Sequence, residues 1–267
     1  MEETRTNHGS PWLIEWPVAV EPPLLMVCFH HAGGGAGQFR AWQDSLGADA
    51  RLLAVQLPGR QTRWAEEPMT DIGAMVEALV PPLLARLDRP YVVFGHSMGG
   101  ILGYELTRRL GEGYDRWPRR LIVSATPAPH LRRGGPDPEG MDDDQLVESL
   151  IASGVVPAWV REDPELREVL LRPLRGDYAA GRAYRHRPGP PLPCPTTVLG
   201  ATGDTISTEL LDGWRSYTAA GFTRRMYPGD HFYHLDPASG LLADLAGLVA
   251  ADTALLATGA HAEGTTR

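Results

Sequence analysis

The chain has 267 residues, 43% of them hydrophobic and 22% charged, which is enough for one large domain with a full core. A formal net charge of -8 argues against a nucleic-acid partner, whose recognition needs a positive footprint. All 25 basic residues are arginine, so Schiff-base catalysis by lysine and a Walker lysine are both excluded.

The polar start, residues 1–9, has no apolar h-region and reads as a disordered tail rather than a signal peptide. "PWLIEWPV" (11–18) suits an antiparallel edge strand, its pairing limited by prolines. Beyond it, apolar runs alternate with helical patterns. Strands are expected at 24–30, 51–57, 91–94, 120–125, 196–200 and 223–228, and helices near 36–46, 70–87, 98–110, 206–219 and 238–256. That alternation predicts an α/β protein with a mostly parallel sheet, one domain over residues 10–256. From about 128 to 193 no strand pattern occurs. Two amphipathic helices are expected there, in "MDDDQLVESLIASG" and "DPELREVLLRPLRGDYAAGRAY", and this insertion reads as a helical lid. Residues 257–267 are small and polar and are expected to be a second disordered tail. No apolar run approaches the roughly 18 residues of a membrane span. Cys28 and Cys194 lie in apolar stretches and read as buried thiols, pointing to a cytoplasmic protein.

The chemistry starts at "GHSMGG", residues 95–100, after the strand "YVVF" and before a helical pattern. A serine flanked at two positions on each side by glycine, between a strand and a helix, fits the nucleophile elbow of an α/β-hydrolase fold. Ser97 is therefore the candidate nucleophile. A serine hydroxyl needs a base, and in this fold the chain order is serine, acid, histidine. "PGDHFYH" follows the last strand and offers His231, directly after the turn, with His234 as the alternative. "GATGD" places Asp204 at the carboxyl end of a strand, where it could orient the base or cap the helix that starts near Ser207. Asp230 is a weaker candidate because it adjoins the base. Two backbone N–H groups are needed for the oxyanion. Met98 follows the nucleophile, and "HHAGGGAG" supplies the other, Ala32 first and Gly33 second. This loop lacks the G-x-G-x-x-G spacing of a dinucleotide cradle.

"FHHAGGGAGQFRAW", "LPGRQTRWAEEP", "FGHSMGG", "LRGDYAAGRAY", "CPTTVLGATGD" and "YPGDHFYHLD", in this order from about Trp12 to Leu255, together resemble the type II thioesterases. These are stand-alone α/β-hydrolases that accompany polyketide and nonribosomal peptide synthases. "LPGR" and the Arg-x-Asp-Tyr element are the more specific parts. The resemblance places the nucleophile on Ser97, the acid on Asp204, the base on His231 and the oxyanion amides on Ala32 and Met98. His30 stands where the family usually has proline, and Gly100 where it often has alanine. The resemblance implies release of acyl groups from the phosphopantetheine arm of acyl carrier proteins, with no metal or organic cofactor and with a mobile lid. Carrier proteins are generally acidic, so docking on an acidic enzyme calls for a local positive patch. Arg132 and Arg133 at the start of the insertion, and Arg182, Arg185 and Arg187 at its end, are the candidates. A general esterase or lipase on the same triad is the alternative function, and a non-catalytic binder of a ligand or synthase a further one.

Overall fold

The computed structural model describes residues 10–132, 140–152, 154 and 156–263; Arg133 and the expected tail 1–9 lie outside them. Seven strands form one sheet in the order β1-β3-β2-β4-β5-β6-β7. They are β1 (Leu13–Ile14), β2 (Leu24–Phe29), β3 (Ala50–Val55), β4 (Tyr91–His96), β5 (Arg120–Ser124), β6 (Thr196–Ala201) and β7 (Phe222–Tyr227). Only β1 runs antiparallel, along β3, and the other five pairings are parallel. Every residue of β2, β3, β4 and β6 is buried. Continuous apolar runs of this kind belong to strands covered on both faces.

Alternate residues of each strand feed different cores. Leu25, Val27, Phe29, Val93, Leu121 and Val123 meet α2 (Ile72–Arg86) and α3 (Met98–Tyr114) on one face. Met26, Cys28, Val92, Phe94 and Ile122 meet α1 (Arg40–Leu46) and α7 (Leu241–Glu263) on the other. Both thiols are buried and free. Among the described residues no helix is long and apolar enough to cross a membrane.

Two helix ends differ from the sequence expectation. α3 passes through Gly111 and stops only at Asp115, in the left-handed conformation (φ 53°). Gly111 serves packing rather than termination, since a Cβ there would lie 2.3 Å from the Trp117 ring. α7 continues past Leu256 to Glu263, into the segment expected to be a disordered tail. The alanines of that stretch are strong helix formers and extend the helix from its packed end. Residues 264–267 lie outside the description.

Between β5 and β6 come α4 (Asp143–Ala152) and α5 (Pro164–Ala183), with no strand among the described residues beyond a single bridge pair, Leu192 with Thr218. Asp163 caps α5 by accepting the Leu166 N–H at 3.0 Å. Leu146, Val147, Val156, Val160, Leu171 and Leu174 form a separate small core, against which Ala32 packs. Asp143 and Asp144 pair with Arg175 and Arg167 inside this segment.

Candidate active site

All the candidate groups emerge at the carboxyl edge of the parallel strands, where open α/β sheets present their loops. Ser97 joins β4 to α3 with φ 55° and ψ -117°, a conformation costly for a residue with a Cβ. Its N–H is fixed on the Ser124 carbonyl at 2.8 Å. The flanking glycines are required by space. A Cβ on Gly95 would lie 2.0 Å from the Gly99 carbonyl oxygen, and one on Gly99 would lie 2.5 Å from those of Phe29 and His30. The start of α3 is thereby pressed against the loop that follows β2.

His231 leaves β7 through the Pro228–Gly229–Asp230 turn, and Asp204 leaves β6. The two loops are tied together by the Gly203 N–H donating to the Gly229 carbonyl at 2.9 Å. His231 Nδ1 meets Asp204 Oδ2 at 2.8 Å, and His231 Nε2 meets Ser97 Oγ at 3.1 Å. The carboxylate assigns the tautomer: Nδ1–H donates to Asp204, and Nε2 is left to accept from the serine hydroxyl. Burial raises the Asp204 pKa, but the His231 hydrogen bond and charge and the backbone N–H donors outweigh it, leaving the group below its usual value. The alternative role of Asp204 is filled by another residue, because Ser207 caps the following helix (Thr208–Asp212, α6). Asp230 turns its carboxylate to the Phe232 N–H at 2.8 Å, within its own loop.

His234 is buried and stacks on His96 with ring centroids 3.6 Å apart. His96 shares a 2.8 Å hydrogen bond with Ser124, which in turn contacts the Tyr233 hydroxyl at 2.5 Å. Burial holds the pKa values of His96 and His234 well below the ordinary value and pushes those of His30 and His31 down to about 3. These rings are neutral packing groups beneath the elbow.

The candidate oxyanion loop is a turn closed by the Gly34 N–H on the His31 carbonyl at 3.0 Å, with Gly33 at φ 77°. A left-handed residue at the third turn position calls for glycine. The Gly33 N–H donates to Asp177 Oδ2 at 2.7 Å and is therefore not available to an oxyanion. Among the described residues neither the Ala32 N–H nor the Met98 N–H has an acceptor. Met98 opens α3, where helix amides are unsatisfied and favour negative charge. Asp177 and Arg60, to which it is paired, are the residues that site reasoning from sequence passed over. Their only signal was membership of the "LPGR" and Arg-x-Asp-Tyr elements.

The arginines flanking the insertion separate. Arg132, Arg182 and Arg185 line one cleft of about 590 Å³ with His130 and His186. Arg132 is half-buried, donates to Thr126 Oγ1 at 3.3 Å, and has its pKa lowered by burial. Arg187 lies in a second cleft, together with Glu77, Glu105 and Glu112, and Arg185 borders this one as well.

A serine on a strained elbow, a histidine within reach of it, a carboxylate behind the histidine and two open amides can together perform acyl transfer. The thioesterase domain family matches residues 25–247 of the chain. Linear gramicidin dehydrogenase LgrE of Brevibacillus parabrevis is 35% identical over 233 residues, covering 85% of this chain and 89% of that protein. RedJ, the thioesterase of the prodiginine biosynthetic pathway in Streptomyces coelicolor, is 38% identical with a TM-score of 0.80, over 86% of this chain and 94% of its own. BorB, the type II thioesterase from the borrelidin biosynthetic cluster, is 36% identical with a TM-score of 0.83, over 91% and 99%. By sequence, by fold and by the side chains gathered at the sheet edge, the chain belongs to the thioesterase family, an α/β-hydrolase enzyme acting on thioesters and grouped with the type II thioesterases.

Proposed function

We propose that the enzyme releases acyl groups from the phosphopantetheine arm of acyl carrier proteins, clearing wrong or stalled chains in polyketide or nonribosomal peptide biosynthesis. The observation that carries this reading is the line Asp204–His231–Ser97, with contacts of 2.8 and 3.1 Å. The pathways in which RedJ and BorB work support the biosynthetic setting. The free buried thiols of Cys28 and Cys194 fit a cytoplasmic site of action beside the synthase.

Ser97 Oγ attacks the thioester carbonyl while His231 Nε2 takes its proton. The carbonyl oxygen becomes an anion held by the Ala32 and Met98 N–H groups. Losing one such donor costs about 2.7–4 kcal/mol of transition-state stabilisation in comparable enzymes. The C–S bond then breaks, and the pantetheine sulfur leaves with the proton from the imidazolium. Water attacks the acyl-serine ester, His231 takes one of its protons, and collapse returns that proton to Ser97 and frees a carboxylic acid. Asp204 keeps the tautomer and stabilises the imidazolium without being protonated itself.

The test is a panel of carrier proteins loaded with different acyl groups, assayed with wild type and Ser97→Ala. Ser97→Ala is expected to lose about 10⁴-fold or more in kcat, while a serine-directed fluorophosphonate labels wild type alone. Equal turnover by the two proteins would make the chain a binder. Oxoesters cleaved as well as matched thioesters would make it a general esterase.

A further inference from the structure

Asp177 and Arg60 take no part in the steps above, yet both are buried at the rim of the oxyanion loop. Asp177 lies on α5, in the insertion, and its carboxylate meets the Arg60 guanidinium at 2.6 and 2.8 Å through two parallel bonds. The two side chains are 0% and 3% exposed. The pair does more than close on itself. Asp177 Oδ2 accepts the Gly33 N–H at 2.7 Å, and Arg60 Nη1 donates to the Gly34 carbonyl at 3.1 Å. One ion pair therefore grips successive residues of the turn that begins with Ala32. Gln56 extends the grip, accepting the Ala36 N–H at 3.1 Å and donating to the Arg60 carbonyl at 2.9 Å.

We infer that Asp177 and Arg60 are positioning residues: they hold the Ala32 N–H in the orientation an oxyanion needs, and they couple that orientation to the seating of α5. This deepens the proposed function and rests on it. The Gly33 N–H fixes the Ala32–Gly33 peptide plane and the Gly34 C=O the Gly34–Gly35 plane. The 3.0 Å bond from the Gly34 N–H to the His31 carbonyl fixes the plane that carries the Ala32 N–H. Because Asp177 comes from α5, displacement of that helix removes the acceptor from Gly33 and releases the turn. Leu174, one helical turn before Asp177, leans on the same glycine, 3.0 Å from where a Cβ would stand. A partner that lifted α5 would thereby lower the reactivity of the site, and a substrate that seated it would restore it. The bare alternative is that the pair only staples α5 to the core. The two roles differ in what a charge-free pair would do.

The experiment uses the full chain, a small acyl-cysteamine thioester and a fluorophosphonate. Arg60→Lys keeps the buried charge balanced but gives up the fork that spans Asp177 and Gly34. Arg60→Met with Asp177→Leu removes both charges, so that no unpaired ion is buried, a change that folded proteins often tolerate. The expected result for Arg60→Lys is a kcat lowered about 10-fold with KM nearly unchanged, and a labelling rate of Ser97 lowered by the same factor at unchanged Tm. For the double variant the expected loss is about 100-fold, the size of a missing oxyanion donor. Arg60→Gln with Asp177→Asn, which again offers Gly33 an acceptor, should recover part of it. Wild-type kcat and labelling rate in Arg60→Lys overturn the inference, as does full activity in a folded double variant. Those outcomes leave the proposed function standing, because wild type still turns over and is labelled. A wild type that neither cleaves the thioester nor is labelled at Ser97 overturns both.

Discussion

Around the sheet, two broad clusters of side chains pack on opposite faces, with Leu25, Val27, Phe94 and Ile122 among many that are fully shielded from water. Between β5 and β6, six buried side chains form a small core, and the outer face is laced with arginine–carboxylate pairs such as Arg161 with Glu148 and Arg175 with Asp143. Apolar burial is large and indifferent to salt, whereas exposed ion pairs contribute little and are screened. The insertion is therefore expected to open at a lower free energy than the sheet that carries it, which hydrogen exchange would measure. The groups proposed for chemistry all sit on the sheet side, and the insertion reaches them through Asp177. A sheet half that carries the proposed reacting atoms and an insertion with its own small core that touches their loop through Asp177 is the division this difference teaches.

The largest expected effect tests whether the reacting atoms are confined to the sheet side. His231→Ala should lower kcat about 10⁶-fold, the scale seen when a serine hydrolase loses its base, with Tm close to wild type. His231 is partly exposed and packs little, so its removal takes chemistry and not fold. His234→Ala should do the opposite. It empties a buried site against His96, where the ring centroids are 3.6 Å apart. Tm should fall by several degrees, and kcat far less than in His231→Ala. Kinetics and thermal melts of the two variants, measured together, check both statements. Similar losses of kcat would mean that the base is misassigned.

A smaller effect separates the two halves by pH. Burial holds His30, His31, His96 and His234 neutral in the folded state. In the unfolded chain a histidine titrates near its ordinary value of about 6.5. The unfolded state therefore binds more protons below that pH, and stability falls as pH drops from about 6.5. Each such histidine contributes a slope of up to about 1.4 kcal/mol per pH unit. In the insertion the Arg161 guanidinium holds the Glu148 carboxyl below its usual value. Mild acid is thus expected to act first on the sheet side, where these four histidines are buried. Denaturant melts between pH 6.5 and 4.5 should show this slope in wild type, made shallower by about one proton in His234→Gln. A flat profile would contradict the neutral cluster.

How much of this was legible in the sequence follows from what each feature is made of. β2 and β4 were visible as unbroken apolar runs, and the elbow as a serine between glycines, because both are set by neighbours along the chain. Asp204 was legible only as a choice between two roles. The choice is made by Ser207, which fills the capping position three residues on. The helix expected to end near 110 runs on through Gly111, whose place is set by a tertiary contact, the room it makes for Trp117. The Arg60–Asp177 pair spans 117 positions, and a link of that kind leaves no periodic trace. The same holds for the arginines around the insertion, which the sequence presented as two adjacent groups. The fold places Arg185 on the rim of two clefts, with Arg132 and Arg182 in one of them and Arg187 in the other.

That separation gives the smallest expected effect, and it concerns the partner. Arg185 borders two clefts: the one shared with Arg132, Arg182, His130 and His186 is lined by no carboxylate side chain among the described residues, and the other is the one that holds Arg187. Its guanidinium donates to the backbone carbonyls of Arg182 and Tyr184, so its charge is held in place without being neutralised by them. Arg187 lines the cleft that contains Glu77, Glu105 and Glu112, where Glu77 pairs with Arg109 and Glu112 with Arg108. An acidic carrier protein approaching the mouth of the insertion should therefore feel Arg185 more than Arg187. Rim charges act mainly on the association rate and its salt dependence. Arg185→Glu is expected to lower kcat/KM for an acyl carrier protein several-fold at low salt, and Arg187→Glu by less. The difference should fade towards 1 M salt, where the screening length shrinks to about 3 Å. A small acyl-cysteamine thioester, which carries no carrier domain, should be cleaved equally by wild type and both variants. Steady-state kinetics on the two substrates over a salt series make the measurement. Losses shared by the small thioester would place Arg185 in the seating of α5 rather than in docking, and equal salt slopes for all three proteins would remove the docking role from this cleft.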